Sequence, residues 1–263
     1  MKKQWFATGI GALLALVLYF GISNKPPKKS VYTVLSEKLI DSLDLPEEEQ
    51  IIIWQKKLKN ASAQEKPEVL TELANLWKQA GYASIAGDYL RQKADYAPDY
   101  EIYFEAGNTL FSSLQADTSR QMRMNVVYGA RYCYEKALEL NPANLEAKIS
   151  LGTLLVQGTS NPMEGVQLLK EVETEDPGNI AANILLGEFS MMSGQFDKAA
   201  ERFQTVLEKD SLNLQARYGL AECYIVMNDT VLAIRTLEEV IPFMQDTILV
   251  NRINQNINSL KNN

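Results

Sequence analysis

The feature that most constrains this chain is a period. Ala199 and Ala233 are 34 residues apart, and Gly187–Ala221, Phe203–Leu237 and Val206–Val240 repeat that spacing. One step earlier, Gly152–Gly187, Pro142–Pro177 and Ala137–Val172 are each 35 apart. Earlier still the spacing widens to 44 for Pro98–Pro142 and 45 for Gly107–Gly152, and Ala74, Trp77, Gly81 and Ala86 fit the same frame. Self-similarity at this length means stacked supersecondary units, each unable to bury its apolar face alone.

Each unit carries two helical stripes. In residues 180–213 the first holds Leu186 and Gly187, a turn follows at Ser193-Gly194-Gln195, and the second holds Phe196, Ala199, Ala200, Phe203, Val206 and Leu207 at three- and four-residue steps. Small residues stand where helices would approach closely, and large ones where the next unit would cover them. Turns at Asn141-Pro-Ala-Asn144, Asp176-Pro-Gly-Asn179 and Asp210-Ser-Leu-Asn213 close successive units.

These residues resemble the tetratricopeptide repeat (TPR) family. The resemblance rests on Leu151-Gly152, Leu186-Gly187 and Leu220-Ala221 with Tyr224 in first helices. In second helices it rests on Ala130, Tyr134 and Ala137; Ala199, Phe203 and Val206; and Ala233, Leu237 and Val240. It implies an all-α fold, a right-handed α-α superhelix of about five repeats over residues 67–245: 67–99, 100–143, 145–179, 180–213 and 214–245. The first departs from the pattern at Lys93, where a small residue is usual. The second carries about ten extra residues around Gln115–Met124, with Asp117 placed to cap a helix running to about Leu140. Arg120, Met122, Arg123 and Met124 then form a basic, apolar projection, either packed on a neighbouring helix or free to dock a partner.

The ends read as caps. Val31–Leu43 and Leu45–Asn60 are expected helices within an N-terminal region of residues 31–66, with capping-box patterns at Asp44/Glu47 and Ser62/Glu65. Residues 246–263 are expected to form a C-terminal capping helix, with Leu249, Ile253, Ile257 and Leu260 on one stripe.

Ahead of the repeats, residues 1–24 read as a membrane anchor. Trp5–Ile22 is an uncharged run of 18 residues, about 27 Å long as a helix and close to the hydrocarbon thickness of a bilayer. Leu14 lies near its middle, Trp5 and Tyr19 sit toward its ends as interfacial aromatics do, and Gly11 belongs to a small-residue stripe with Ala7 and Ala15. The competing reading is a cleavable signal peptide ending at Gly21-Ile22-Ser23. Lysines flank both ends, so the charge rule for orientation nearly cancels. The short stretch before the run favours a single-pass protein of a bacterial inner membrane with a periplasmic body, a cytoplasmic body being the alternative. Residues 25–30, Lys-Pro-Pro-Lys-Lys-Ser, read as an extended linker.

Charge and residue types narrow the function. The chain has 26 Lys+Arg, 33 Asp+Glu and a net charge of −7. Residues 1–30 hold five lysines and no acid, so the rest carries −12. An acidic body argues against nucleic-acid binding. With no histidine, Ser-His-Asp and Cys-His catalysis and His-ligated zinc are excluded. There is no nucleophile elbow, phosphate loop or dinucleotide fingerprint. Cys133 and Cys223 sit in the helical repeats as packing thiols. No catalytic residue, cofactor or metal site is expected, and the chain reads as non-enzymatic.

The resemblance implies that first helices line a concave surface that binds protein or peptide. In this sequence their inward positions are Phe104 and Asn108; Ile149 and Thr153; Ile184, Glu188 and Met191; and Tyr218, Glu222 and Ile225. The family's carboxylate clamp is not reproduced, since Glu105, Glu146 and Ser150 follow Thr71 and Asn75 in its series. The acidic, apolar lining suits a partner segment bearing Lys or Arg. A homo-oligomer built by self-assembly is the alternative reading.

Overall fold

The computed structural model describes residues 31–42, 46–115, 120–159 and 161–261. The expected anchor and linker, with Trp5, Gly11, Leu14 and Tyr19, lie outside the described residues, as do the capping candidates Asp44 and Asp117. Among the described residues no helix is long and apolar enough to cross a membrane. The described residues form helices, turns and loops, with no strand. The chain divides into two compact units, Met1–Leu140 and Asn141–Asn263.

The first unit contains α1 (Val31–Ser42), α2 (Glu48–Asn60), α3 (Lys66–Gln79), α4 (Ala83–Tyr96), α5 (Tyr100–Ser112) and α6 (Arg120–Leu140). Helices α3 to α6 pack each against the next, α2 leans on α3, and α1 lies on α4. One boundary differs from expectation within the described residues: α2 starts at Glu48, after a turn at Pro46 and Glu47. At α3 the Ser62/Glu65 pattern works in one direction only. The Glu65 carboxylate accepts from the Ser62 amide at 2.9 Å and hydroxyl at 2.8 Å, which holds its pKa below the ordinary carboxylate value. The Ser62 hydroxyl therefore donates to the carboxylate instead of capping the helix. Trp77, Leu73, Ile85, Leu110 and Tyr134 are fully buried in this unit.

The second unit contains α7 (Leu145–Gly158), α8 (Met163–Glu175), α9 (Ile180–Met192), α10 (Phe196–Lys209), α11 (Leu214–Val226), α12 (Thr230–Glu238) and α13 (Thr247–Lys261). The pairs α7/α8, α9/α10 and α11/α12 stack in order, and α13 closes on α12. The inter-repeat turns have a shared chemistry. Asn144, Asn179 and Asn213 cap α7, α9 and α11 by accepting from Ala147, Ala182 and Ala216 amides at 2.8, 3.1 and 3.0 Å. In two of these turns the capping amide also donates back, Asn179 to Asp176 and Asn213 to Asp210. Each cap satisfies one of the orphan N–H groups of a helix start. The tight turns between paired helices place Gly81, Gly194 and Asn228 at φ of 84°, 76° and 62°, a left-handed conformation that favours glycine and tolerates asparagine.

Small residues fall at close crossings. A Cβ on Gly165 would lie 2.4 Å from the Gly152 carbonyl oxygen, so α7 and α8 meet backbone to backbone. The Phe203 ring is held between Gly187 and Gly219, where added Cβ atoms would approach it to 2.8 and 2.5 Å. That ring, 1% exposed, joins Ile184, Ala199, Ala200, Val206, Ala216, Leu220 and Cys223 in one core cluster. A second cluster unites Ala221, Leu237, Val240, Ile253 and Ile257, so the apolar stripe of α13 does cover the last pair.

Candidate functional site

The face of the first unit formed by α3 and α5 carries a hollow of about 460 Å³. It is lined by Lys78, Ala83, Glu101, Phe104, Glu105, Asn108, Thr109 and Ser112. A second hollow of about 320 Å³, lined by Glu72, Asn75, Leu76, Lys78 and Gln79, shares Lys78 with the first. Residues 101, 104, 105 and 108 fall on one side of α5 because three- and four-residue steps follow the helical turn. Phe104 forms the floor. It stacks on Tyr100 at a centroid distance of 5.8 Å and an interplanar angle of 12°, and leans on Tyr134 at 6.0 Å. The Tyr134 hydroxyl donates to Asn108 Oδ1 at 2.8 Å. That bond fixes the amide so that its Nδ2 donors stay available to the hollow. Glu101 and Glu105 are exposed and form no ion pair among the described residues. The hollow is apolar at its floor and acidic at its rim, with Lys78 as its cation.

Behind this face a polar network braces the unit. Arg91, 6% exposed, donates to Asp88 Oδ1 through Nε and Nη2 at 3.1 and 2.9 Å, and to Asp95 Oδ2 at 2.6 Å. Burial opposes its charge, but the Asp88 and Asp95 carboxylates outweigh burial and raise its pKa. The hydroxyls of Tyr103 and Tyr132 both donate to Asp95 Oδ1, at 3.0 and 2.8 Å. Burial and the Asp95 contact push the Tyr132 phenol up to about 12. The network ties α4 to α5 and α6, and so fixes the helix that carries Phe104.

The inward positions of the second unit have different fates. Ile184, expected to line the groove, is 8% exposed and belongs to the Phe203 core cluster, so it offers no open surface. Ile149 is half-buried against Val166, Leu169 and Leu186. The Thr153 hydroxyl is turned onto its own helix, donating to the Ile149 carbonyl at 2.7 Å. Glu188 accepts from Gln215 Nε2 at 2.6 Å, which sets the inward positions of α9 and α11 side by side. Met191 is half-buried on the Phe203 cluster and Tyr218 on the terminal one. The Tyr218 hydroxyl is buried without a hydrogen-bond partner among the described residues, and burial raises its pKa despite the opposing Arg252 charge. Glu222 is exposed and Ile225 is 41% exposed. Cys133 and Cys223 are fully buried. Burial raises both thiols, Cys223 to about 11, away from reactive thiolate character.

Lys78 and the Asp88–Arg91–Asp95 network were not singled out in the sequence. The network has a local signal, opposite charges at i,i+3 and i,i+4. Lys78 has none, because its place in the hollow depends on how α3 meets α5.

The tetratricopeptide repeat family model matches residues 161–210 and 190–253. Both matches lie within the second unit. These matches cover the last two helix pairs, where the period of 34 residues is most regular. No curated protein matches the chain in sequence. Among solved structures, YrrB, described as a TPR protein with an unusual peptide-binding site, is 20% identical at a TM-score of 0.51, covering 77% of this chain and 97% of that one. MamA 41-end from Desulfovibrio magneticus RS-1 is 19% identical at a TM-score of 0.53, covering 69% of this chain and 96% of that one. Another MamA crystal structure is 14% identical at 0.54, covering 68% of this chain and 92% of that one. At these identities the likeness is one of fold.

Proposed function

We propose that this chain is a non-enzymatic scaffold that captures a partner protein or peptide on the faces of its first helices. The observation that carries this reading is the hollow on α3 and α5, with an aromatic floor at Phe104 and the unpaired rim carboxylates Glu101 and Glu105. A cationic side chain of the partner fits there, since the carboxylates attract its head and the apolar floor takes its methylene stem. YrrB, a TPR protein of similar fold with an unusual peptide-binding site, supports the same use of the fold. Asn108, Glu188, Met191, Glu222 and Ile225 extend the reading within their own units.

The scaffold is held at a bacterial inner membrane by residues 1–24, with Trp5, Gly11, Leu14 and Tyr19 in the span, and its body lies in the periplasm. The uncharged run of 18 residues supports this placement. Work in envelope protein biogenesis would suit such a scaffold. Fusions of alkaline phosphatase and of a fluorescent protein to the carboxyl end test the side: phosphatase activity with a dark fluorescent fusion is expected, and the reverse pattern refutes a periplasmic body.

A photocrosslinking residue at Glu105 tests the groove in cells, with Lys198, exposed on α10, as control. A discrete heavier band from Glu105 alone is expected. Equal bands from both positions, or none, refute capture at this face.

A second reading, self-assembly, is favoured by apolar exposure at the α11–α12 turn. Ile225, Val226, Met227 and Val231 are 41, 47, 40 and 77% exposed. Light scattering separates the readings: a monomer at micromolar concentration refutes assembly through this edge.

A further inference from the structure

Resting on that groove reading, we infer that the hollow on α3 and α5 takes a bipolar segment of the partner, a basic side chain with an acidic side chain three residues along. Polarity gives the first ground. The connections between α3 and α4 and between α4 and α5 are short, residues 80–82 and 97–99, and α4 packs on both helices. Each helix therefore reverses on the last, and α3 and α5 run the same way. Lys78, one residue from the end of α3, and Ala83, which opens α4, both line the hollow. That cation therefore stands toward the closing end of α5. Glu101 and Glu105 stand toward its opening end.

Unmet charge and hydrogen-bonding capacity give the second ground. Lys78, Glu101 and Glu105 are exposed and form no ion pair among the described residues, although all three line one hollow. Like charges one helical turn apart oppose each other, and a partner's cation between the two glutamates removes that opposition. At the other end, Asn108 engages its Oδ1 with the Tyr134 hydroxyl at 2.8 Å and presents its Nδ2 donors. Thr109 beside it lines the hollow and is 8% exposed, and its hydroxyl has no hydrogen-bond partner among the described residues. A largely desolvated hydroxyl without a partner is unfavourable. An ammonium, an amide and a hydroxyl donating together suit one carboxylate. A ligand that carries only cations leaves these donors unused and meets repulsion from Lys78. The midpoint of Glu101 and Glu105 lies about 8 Å along α5 from Asn108 and Thr109. A polyproline segment sets side chains three residues apart on one edge, about 9 Å from each other.

The test measures fluorescence anisotropy with the full chain in a non-ionic detergent at physiological ionic strength, where attraction to the acidic body at large is screened. The probes are proline peptides with an uncharged dye at the amino end and an amide at the carboxyl end, so that side chains carry their only charges. They are Arg-Pro-Pro-Glu, its reverse Glu-Pro-Pro-Arg, the doubly basic Arg-Pro-Pro-Arg, and a long form with five prolines between Arg and Glu. One of the two short bipolar peptides should bind about fivefold more tightly than the doubly basic and the long peptides. Lys78→Glu should invert the preference, so that the doubly basic peptide binds more tightly than either bipolar one. Glu101→Gln/Glu105→Gln should weaken binding of every peptide.

Lys78 is exposed, and a gain of binding by its variant cannot come from lost structure. Equal or tighter binding of the doubly basic or the long peptide by the unaltered chain, or an unchanged preference in Lys78→Glu, overturns the bipolar reading. Capture of a cation at this face then still stands if Glu101→Gln/Glu105→Gln loses the doubly basic peptide. Binding of no peptide, or undiminished binding by Glu101→Gln/Glu105→Gln, overturns both.

Discussion

Replacing Gly165 by alanine tests the packing logic of the repeats directly. Its added Cβ would sit 2.4 Å from the Gly152 carbonyl oxygen, 2.9 Å from Val156 Cγ2 and 3.0 Å from Leu155 Cβ. The nearest atom is backbone, so no rotamer change relieves it, and α7 and α8 must separate by most of an ångström. Overpacking of this kind costs ~1–3 kcal/mol, and contact with three atoms puts Gly165→Ala at the upper end. Alanine returns ~1 kcal/mol through its better helix propensity. The net loss is therefore about 2 kcal/mol. Gly178→Ala is the control, because its Cβ would meet only the flexible end of Lys209. Urea unfolding followed by far-UV circular dichroism is the assay, since Trp54 and Trp77 both lie in the first unit and would report on that alone. Stability of Gly165→Ala equal to or above the unaltered chain would refute the backbone contact and the reasoning built on it.

Other perturbations follow from the same packing. Phe203→Ala removes a ring held between two glycines and should cost ~3–5 kcal/mol in the same urea assay; a loss below 1 kcal/mol would mean that α9 and α11 close over the gap. Asn179→Ala removes the α9 cap and should cost about 1 kcal/mol, with Asn179→Ser restoring most of it; equal midpoints for all three would show that the cap contributes nothing. Glu239 accepts from buried Arg217 at 3.0 Å, which holds its carboxyl below the ordinary value of 4.5. A carboxyl lowered in the folded state stabilises above its unfolded pKa and loses that contribution as pH falls through the folded one. Glu239→Gln should therefore flatten the acid limb of a stability-versus-pH curve below about pH 4.5, and an unaltered limb would discount the pair.

Much of the architecture was legible residue by residue. Asn144, Asn179 and Asn213 recur before first helices because each repeat begins with the same orphan amides, so their spacing exposes the helix starts. Gly152, Gly187 and Phe203 recur because each crossing needs one small and one large partner. Helix ends were less legible. The start of α2 moved to Glu48 since turn residues Pro46 and Glu47 precede it, and local propensities leave such ends loosely specified. The α6 helix ends at Leu140, as expected, because its apolar stripe continues unbroken to Ala137.

The site divides along the same line. A period of 34 residues by itself determined that first helices repeat one face, and that Glu188 and Gln215 would face the same way. Only tertiary packing decided which inward positions stay open. Ile184 is buried because the Phe203 ring, seated between Gly187 and Gly219, draws α9 and α11 together over it. Glu222 and Ile225, one repeat on, remain accessible. In the first unit Lys78 on α3 joins Glu101, Phe104 and Glu105 on α5 in one hollow. Periodicity fixes the direction of a side chain from its own helix, whereas accessibility depends on the distance to the next, and that distance is set by the volumes of residues far apart in the chain.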